Sequence, residues 1–418
     1  MKLINRILKI DIIRNISLLV TGTVLAQLFP ILLEPFLKRI YLPEDFGKLS
    51  LFLKSFNTLA ILSTCCYEMG IIINKNEEDT KILINGNIVL NIIFLFLIEI
   101  LIIILLFQKV IPKDYYFFIL LPFSVCFYSI GLSFNNYMIR KEKYKKVSLN
   151  KFIRRMSEAF FQINMKLFFN INIGLIIGNI FGNLCYLIYN FKVSEFKINI
   201  NFFEIEKIWK KYIEFPKYNL FPQLFNTLSS SAFDFFILLK FSISEVGYLE
   251  LTQKVLLLPS ALLSESIGRV ILQLTSKKIN NKESIKKEIL YTFVILLLMG
   301  IIFFIIIYFY GIYLFTLVFG NNWLKSGIYA KWMIFYICIS FIAEPLSSIL
   351  LSLKKFKINS FWQVCKTLII LILGIISFKD IKDLIIIYTI VNVLFYIFYL
   401  VIIFYEMYKY EKSIEVKS

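Results

Sequence analysis

The sequence predicts an all-α polytopic membrane protein with about twelve transmembrane helices. Of the 418 residues, 59% are hydrophobic, and the mean hydropathy is +0.75. The apolar residues are gathered into long stretches separated by short polar segments. Each stretch approaches the roughly 20 residues that a helix needs to cross the hydrocarbon core of a bilayer. Little of the chain is left for a soluble domain.

The apolar stretches predict where the helices lie along the chain. The predicted spans are 16–37, 46–73, 82–106, 115–139, 149–169, 171–191, 218–239, 247–272, 289–310, 329–353, 360–378 and 384–405. The fifth stretch is interrupted by Arg154, Arg155, Glu158 and Lys166. Because charged side chains are costly in lipid, we expect this helix to face protein or a wet cavity.

The basic residues set the predicted orientation. The formal charge is +18, and the basic residues lie mainly between the apolar stretches. With the N-terminus inside, the inner segments hold about three times as many Lys and Arg residues as the outer ones, as the positive-inside rule requires. Both termini are therefore predicted to be cytoplasmic. This distribution explains the charge without a nucleic-acid partner.

Twelve spans divide into two parallel six-helix bundles, predicted at 1–200 and 201–418, around a central cavity. Six is an even number, so both bundles enter the membrane in the same direction, as parallel transporter repeats do. Four identities at an offset of 200 support the repeat: Gly47/Gly247, Leu49/Leu249, Leu51/Leu251 and Lys54/Lys254.

The sixth span carries Gly174, Gly178 and Gly182, which share one helix face. Such a face lets a neighbouring backbone approach closely. It predicts either close packing within the N-terminal bundle or a dimer interface.

Composition argues against an enzyme. The chain has no histidine, which removes the commonest general base and metal ligand. Its six cysteines lie in apolar stretches without metal-type spacing, so no metal is expected. There is no phosphate-binding loop of the ATPase type, so no ATP site is predicted. The outer loops are short, which disfavours a polymerase or ligase.

Ionisable residues inside the spans are the candidate functional residues, because their burial in a bilayer is costly. We expect the bases to meet an anionic headgroup: Lys54, Lys254, Arg269, Lys331 and Lys366. We expect a further group of acids to form a cation or proton site: Glu34, Glu68, Glu99 and Asp234. Some of these residues have a structural role as the alternative to a functional one. Glu250 and Lys254, and likewise Glu265 and Arg269, lie four residues apart, so each pair shares a helix face and can form an ion pair.

Several motifs, spread in order over most of the chain, resemble one family. They are Gly22–Gln27 and Glu34–Gly47 near the start, Tyr67-Glu68, Phe215–Leu228, Val246–Leu249, Leu258–Ser260, Phe319–Trp323, Pro345–Ser348 and the basic Lys354–Lys357. Together they are similar to the polysaccharide-exporter family that includes O-antigen flippases (Wzx-type). Glu344 departs from this pattern, because relatives often carry a small polar residue there.

The resemblance implies the multidrug/oligosaccharidyl-lipid/polysaccharide exporter superfamily and its MATE-like fold. It implies a flippase of the bacterial inner membrane that moves undecaprenyl-pyrophosphate-linked oligosaccharide to the periplasmic leaflet for O-antigen, capsule or another surface polysaccharide. No cofactor is implied beyond Na⁺ or H⁺ as coupling ion. The implied partners are this substrate, membrane lipid, and the polymerase and chain-length regulator of the same pathway.

Two alternatives stay open. One is a cation-coupled multidrug exporter of the same superfamily, which would share the fold. The other is a membrane polysaccharide polymerase or ligase, for which no nucleophile and base can be named.

Overall fold

The computed structural model describes residues 30–74, 76–110, 112–376 and 378–415, and within these residues the chain forms helices and no strand. The all-α class is confirmed. In the first half the helices are α1 (30–40 in its described part), α2 (Pro43–Thr64), α3 (Glu68–Ile73), α4 (Glu77–Phe107), α5 (Leu121–Arg140), α6 (Tyr144–Leu167), α7 (Gly174–Ser194) and α8 (Phe202–Lys211). In the second half they are α9 (Phe221–Lys240), α10 (Ile243–Asn280), α11 (Lys286–Phe319), α12 (Leu324–Leu346), α13 (Ser348–Ser352), α14 (Phe356–Ile375) and α15 (Ile381–Glu415).

Eleven of the twelve predicted spans coincide with helices, and the first lies mostly outside the described residues. Within the described residues, six helical segments are long and apolar enough to cross a membrane. They are Glu77–Phe107, Asp114–Arg140, Gly174–Ser194, Lys286–Phe319, Asn321–Ser352 and Ile381–Ile414. The other helices over predicted spans are shorter, less apolar or more highly charged.

The second predicted span, 46–73, is interrupted rather than continuous. Cys65 and Cys66 adopt left-handed backbone conformations, with φ of 47° and 62°, and end α2 before α3 begins. The tenth predicted span is divided only at Ser347, between α12 and α13, where the backbone keeps helical angles and the Ser347 amide still donates to the Ala343 carbonyl oxygen at 3.0 Å. Pro345 has no amide proton, so the helical hydrogen bond that it removes lies one turn earlier, at the Phe341 carbonyl oxygen.

The glycine stripe of α7 packs against α6. A Cβ atom on Gly178 would lie 2.7 Å from the Glu158 carbonyl oxygen, and one on Gly182 would lie 3.0 Å from the Arg154 carbonyl oxygen. The first distance is too short for a real Cβ atom and the second leaves almost no room for one, so glycine is what allows this close approach. The stripe is therefore occupied by packing within the first half of the chain, as the first of the two alternatives predicted.

The chain divides into two compact units, one ending at Ser231 and the other beginning at Ala232. This division lies about thirty residues beyond the predicted boundary at 200. The reason is α8, which packs on α4: a Cβ atom on Gly86 of α4 would lie 2.7 Å from Trp209 Nε1. Lys211 also donates a hydrogen bond to Asp79, which raises the pKa of the lysine. That each unit contains six spans stays a prediction.

The first and second units share a local feature at the repeat offset. Helices α2 and α10 begin at Pro43 and Ile243. In the first unit, the Leu42 amide donates to Asp45 Oδ2 at 3.0 Å. In the second, Glu245 forms an ion pair of 2.7 Å with Lys325 and accepts a hydrogen bond from Tyr329. A carboxylate thus lies in the first turn of both helices, where the positive end of the helix dipole stabilises its negative charge.

The packing of α7 on α6 generates a stability prediction. Gly178→Ala should lower the free energy of unfolding by about 1–3 kcal/mol, because the added methyl group overlaps the α6 backbone. The measurement is the melting temperature of the purified protein in detergent. Gly300→Ala is the control, since its Cβ would lie 3.8 Å from the nearest atom. A loss of stability in the control equal to that in Gly178→Ala would contradict the close approach.

Candidate functional site

In the second unit, hydrogen bonds connect three side chains in series, one each from α14, α15 and α12. The Lys366 ammonium donates to the Tyr396 hydroxyl at 2.6 Å, and the same hydroxyl donates to Glu344 Oε1 at 3.0 Å. A tyrosine hydroxyl can accept one hydrogen bond and donate another, so it relays between a base and an acid. The arrangement lets one positive and one negative charge sit within the second unit at reduced electrostatic cost.

Aromatic rings hold this chain in place. The Trp362 ring stacks on Tyr399 with 4.1 Å between centroids and lies 5.3 Å from the Tyr396 ring. The Lys366 ammonium lies 4.8 Å from the Tyr396 ring centroid and 5.3 Å from that of Trp362. Trp362 and Lys366 are one helical turn apart on α14, so both point to the same side of the helix. The rings contribute cation–π attraction to the lysine.

Glu344 also belongs to a cavity of about 460 Å³ in the second unit. The cavity is lined by Ser264, Gly268, Arg269, Leu272, Glu344, Ser348 and Leu351. These residues come from α10, from the end of α12 and from α13. Glu344 is exposed, and the Ser347 hydroxyl donates to the Glu344 carbonyl oxygen at 2.6 Å. The cavity therefore combines a guanidinium, a carboxylate and two hydroxyl groups.

The predicted bases are not all in one place. Arg269 lines the same cavity as Glu344, and Lys366 is linked to the Glu344 carboxylate through Tyr396. Lys254 lies 3.8 Å from Glu250, as its spacing predicted. Lys331 lies over the Tyr308 ring at 4.9 Å.

One predicted base lies in the other unit, and one predicted ion pair cannot be described in full. Lys54 lies on α2, in the first unit. The predicted pair of Glu265 with Arg269 involves the Glu265 side chain, which lies outside the described side chains.

The predicted acids lie on four different helices. Glu34 on α1 is 3.7 Å from Lys38, whose ammonium is 3.4 Å from the centroid of the Phe46 ring. Glu68 begins α3 at the break of the second span, and the Asn136 amide donates to its carbonyl oxygen at 3.0 Å.

Glu99 and Asp234 are placed differently from these. In the described part of the chain, Oε2 of Glu99 is buried without a hydrogen-bond partner. Asp234 is 2% exposed and interacts electrostatically with Tyr388, whose ring stacks on Phe233 at 4.3 Å. Among the residues that the structure describes, no three His, Cys, Asp or Glu side chains cluster in a way that could hold a metal ion.

Sequence comparison assigns the family. The model of a family described as polysaccharide biosynthesis protein matches residues 36–327, which is more than two thirds of the chain. The chain belongs to the polysaccharide biosynthesis protein family. No curated protein matches the sequence significantly.

Solved structures show that this family member has the fold of the MOP superfamily. An inward-facing multidrug resistance MATE family transporter of that superfamily aligns with a TM-score of 0.66 and 11% identity, over 91% of this chain and 94% of the other. The lipid II flippase MurJ, in an inward closed conformation, aligns with a TM-score of 0.66 and 15% identity, over 95% and 91%. A MOP superfamily transporter from Pyrococcus furiosus aligns with a TM-score of 0.50 and 11% identity, over 95% and 94%. The MATE-like fold is thus confirmed, and identities this low show the fold alone.

The sequence did not indicate the residues that link Lys366 to the cavity in this polysaccharide biosynthesis protein. Glu344 stood out only as a departure from the family pattern, and Tyr396 and Trp362 did not stand out at all. One signal was available: Trp362 and Lys366 lie one turn apart in an otherwise apolar helix, a spacing that suits a cation–π contact.

The relay through Tyr396 generates the next prediction. Tyr396→Phe should lower the free energy of unfolding by about 1.5–3 kcal/mol, because it removes hydrogen bonds to two charged groups. The loss is read as a lower melting temperature in detergent. Tyr408→Phe is the control on the same helix, since Tyr408 is 63% exposed. Equal melting temperatures for the two variants would contradict the relay.

Proposed function

We propose that this protein is a flippase that moves undecaprenyl-pyrophosphate-linked oligosaccharide from the cytoplasmic to the periplasmic leaflet by alternating access. The product would serve the synthesis of O-antigen, capsule or another surface polysaccharide. The observation that carries the proposal is the family match across residues 36–327 on a chain with the MOP fold. A lipid II flippase among the similar structures is consistent with a lipid-linked cargo.

The physical task is to carry a charged headgroup through hydrocarbon. An unpaired ionic group in an apolar medium is very costly, so an uncatalysed crossing is slow. A polar cavity lowers that cost while the polyprenyl chain stays in lipid. The cavity at Arg269 and Glu344 measures about 460 Å³, within the range of small-molecule sites, which is roughly 300–1,000 Å³.

Arg269 and Lys366 are the bases that we assign to the pyrophosphate. The Arg269 guanidinium lines the cavity, and a planar guanidinium matches phosphate oxygens in pairs. Lys366 is held behind it by Tyr396, where it adds positive charge to the same region. The other predicted bases, Lys54, Lys254 and Lys331, would contact the headgroup or the sugars at other points of the passage.

The predicted acids are proposed as the coupling groups for H⁺ or Na⁺. Glu99 and Glu68 each have a buried carboxylate oxygen without a hydrogen-bond partner in the described part of the chain. A carboxyl group in such surroundings gains most from taking up a cation or a proton. Glu34 and Asp234 are weaker candidates, since each already has a cation or a tyrosine nearby.

Location and partners follow from the same proposal. The chain would lie in the bacterial inner membrane with both termini cytoplasmic, as the distribution of Lys and Arg predicts. It would act as a transporter and not as an enzyme. It would supply the polymerase and chain-length regulator of its pathway.

A multidrug exporter is the second candidate function. Its support is that a multidrug resistance transporter aligns as well as the lipid II flippase, each with a TM-score of 0.66. The family match favours the polysaccharide pathway.

The deciding experiment follows the lipid-linked repeat unit in a strain without this protein. We expect complete, undecaprenyl-linked units to accumulate on the cytoplasmic leaflet, with loss of surface polymer and recovery when the gene is restored. Units that reach the periplasmic leaflet but are not lengthened would indicate a polymerase or ligase. Normal polymer with altered sensitivity to toxic cations would indicate a drug exporter.

The two bases can be tested in the same strain. Arg269→Gln and Lys366→Gln should each lower the rate of repeat-unit translocation at least tenfold, since losing one charge-assisted contact costs about 1.5–3 kcal/mol. Lys286→Gln removes an exposed positive charge at the start of α11 and should leave the rate unchanged. Normal rates in both site variants, at normal protein levels, would reject the assignment.

The coupling acids call for a different readout. Glu99→Gln should abolish the dependence of translocation on an imposed ion gradient, because the amide cannot take up and release a proton or cation charge. Glu78→Gln, at an exposed position on the same helix, is the matched control. The rate is measured in vesicles with and without the gradient. A gradient response in Glu99→Gln like that of the wild type would exclude Glu99 as the coupling group.

A further inference from the structure

Helix α8 and the segment before it expose large apolar side chains to which the proposed function gives no role. Phe202 and Phe203 are 70% and 79% exposed, and they begin a helix that also carries five charged residues. The exposed large apolar residues continue along the chain from α7 to just beyond α8: Ile188, Phe191, Ile198, Ile200, Phe202, Phe203 and Ile213. So much exposed apolar surface marks a contact with lipid or with another protein.

Another side of α8 packs tightly on α4 within the first unit. A Cβ atom on Gly86 of α4 would lie 2.7 Å from Trp209 Nε1 and 3.3 Å from Ile205 Cγ2. Lys211, at the end of α8, forms an ion pair with Asp79 at the start of α4. The helix that carries the two phenylalanines is therefore held in place, and their exposure is not a result of loose packing.

The contacts with α4 give the level of α8 relative to the membrane. The exposed large apolar side chains of α4 extend from Ile92 to Phe107. A hydrocarbon core about 30 Å thick takes up about 20 residues of helix, so a core that ends at Phe107 begins near position 88. Gly86 then lies roughly 3 Å outside the core and Asp79 roughly 14 Å outside it. Because the headgroup layer is about 5–8 Å thick on each side, α8, which contacts both residues, lies in that layer.

The apolar end of α8 is the end closer to the hydrocarbon. Ile205, in the first turn of the helix, contacts Gly86, whereas Lys211 at the other end reaches Asp79. The first turn, with its two phenylalanines, is thus at the deeper level. The charged last turn is at the level where water begins.

The two flanks of α8 also differ in polarity. Phe202 and Glu204, both exposed, point about 160° apart around the helix, and Lys211 lies within about 20° of Glu204. One flank is therefore apolar and the other is charged. Lys207 is exposed one turn after Phe203, where a long side chain can reach lipid phosphates while its stem covers apolar surface.

We propose that α8 is an interfacial helix that binds the lipid surface of the adjacent leaflet, with Phe202 and Phe203 inserted between headgroups and acyl chains. By the predicted orientation this is the cytoplasmic leaflet. Amphipathic helices bind bilayers in this way, with the apolar side buried about 5–10 Å. Lipid is the occupant because the apolar surface is continuous with Ile188 and Phe191 at the end of α7, a helix long and apolar enough to cross the membrane.

The lipid contact gives α8 a second attachment besides α4. The helix belongs to the polar stretch that follows α7. Held by α4 on one side and by lipid on another, α8 keeps this stretch at the membrane surface, whereas a plain loop would extend into water. The contact does not depend on what the protein transports.

The first experiment identifies the occupant by photocrosslinking in native membranes. The photoreactive residue p-benzoylphenylalanine replaces Phe202 or, as the matched control on the charged flank of the same helix, Glu204. Mass spectrometry of the purified chain should show phospholipid adducts at least five times more abundant at position 202 than at position 204. Adducts at position 202 that are mainly with a second copy of this chain or with another protein would overturn the proposal. Equal lipid adducts at the two positions would overturn it as well.

The second experiment measures what the lipid contact contributes, by hydrogen–deuterium exchange in nanodiscs. The paired substitution Phe202→Ser and Phe203→Ser should speed exchange of the α8 amides at least fivefold, because the inserted rings are lost. The pair Phe202→Leu and Phe203→Leu keeps apolar side chains and should change exchange less than twofold. Unchanged exchange around Gly86 of α4 shows that each variant is folded. Equal exchange of α8 in the serine pair and the wild type would mean that lipid does not hold the helix, and would overturn the proposal.

Discussion

The cost of an unpaired polar group in a low-dielectric interior governs the arrangement of this protein. Each helix satisfies its own backbone, so the polar side chains must find partners on neighbouring helices. The second unit shows this most clearly, since Lys366, Tyr396 and Glu344 come from three helices and satisfy one another. A ligand that binds beside Glu344 and disturbs this series must replace the hydrogen bonds that are lost, because a buried polar group without a hydrogen-bond partner costs free energy.

The two units meet this constraint with different chemistry. In the first, amide and hydroxyl side chains form the links: Ser124 donates to Asn179 at 3.1 Å, and Asn183 donates to Ser124 at 2.8 Å. Neutral links of this kind stabilise helix packing without strong fields. Asn179 also donates to Glu158 Oε1 at 3.1 Å, so the ion pair of Glu158 with Arg155 extends these links at one end. In the second unit, charged residues form both ends of the link.

The sequence was sufficient for the fold and insufficient for the site, and the difference has a physical cause. Helix positions follow from apolar length alone, which is why eleven predicted spans coincide with helices. The break at Cys65 and Cys66 was not predictable, since neither residue type favours a left-handed backbone. The contact of Lys366 with Tyr396 was not predictable either. A helix such as α15 is apolar on all sides, so its pattern does not tell which face meets another helix.

Glu344 shows how a departure from the family pattern can be accommodated. A carboxylate within the second unit requires a compensating positive charge, and the hydrogen bond through Tyr396 supplies Lys366. The same carboxylate lines the cavity with Arg269. Under the proposed function, a pyrophosphate in this cavity would be repelled by Glu344 and attracted by Arg269 and Lys366. Its binding would then weaken the Glu344–Tyr396–Lys366 chain, which ties α12, α14 and α15 together. Substrate binding and the packing of these three helices would thereby be linked through one residue, which a small polar residue at position 344 could not achieve.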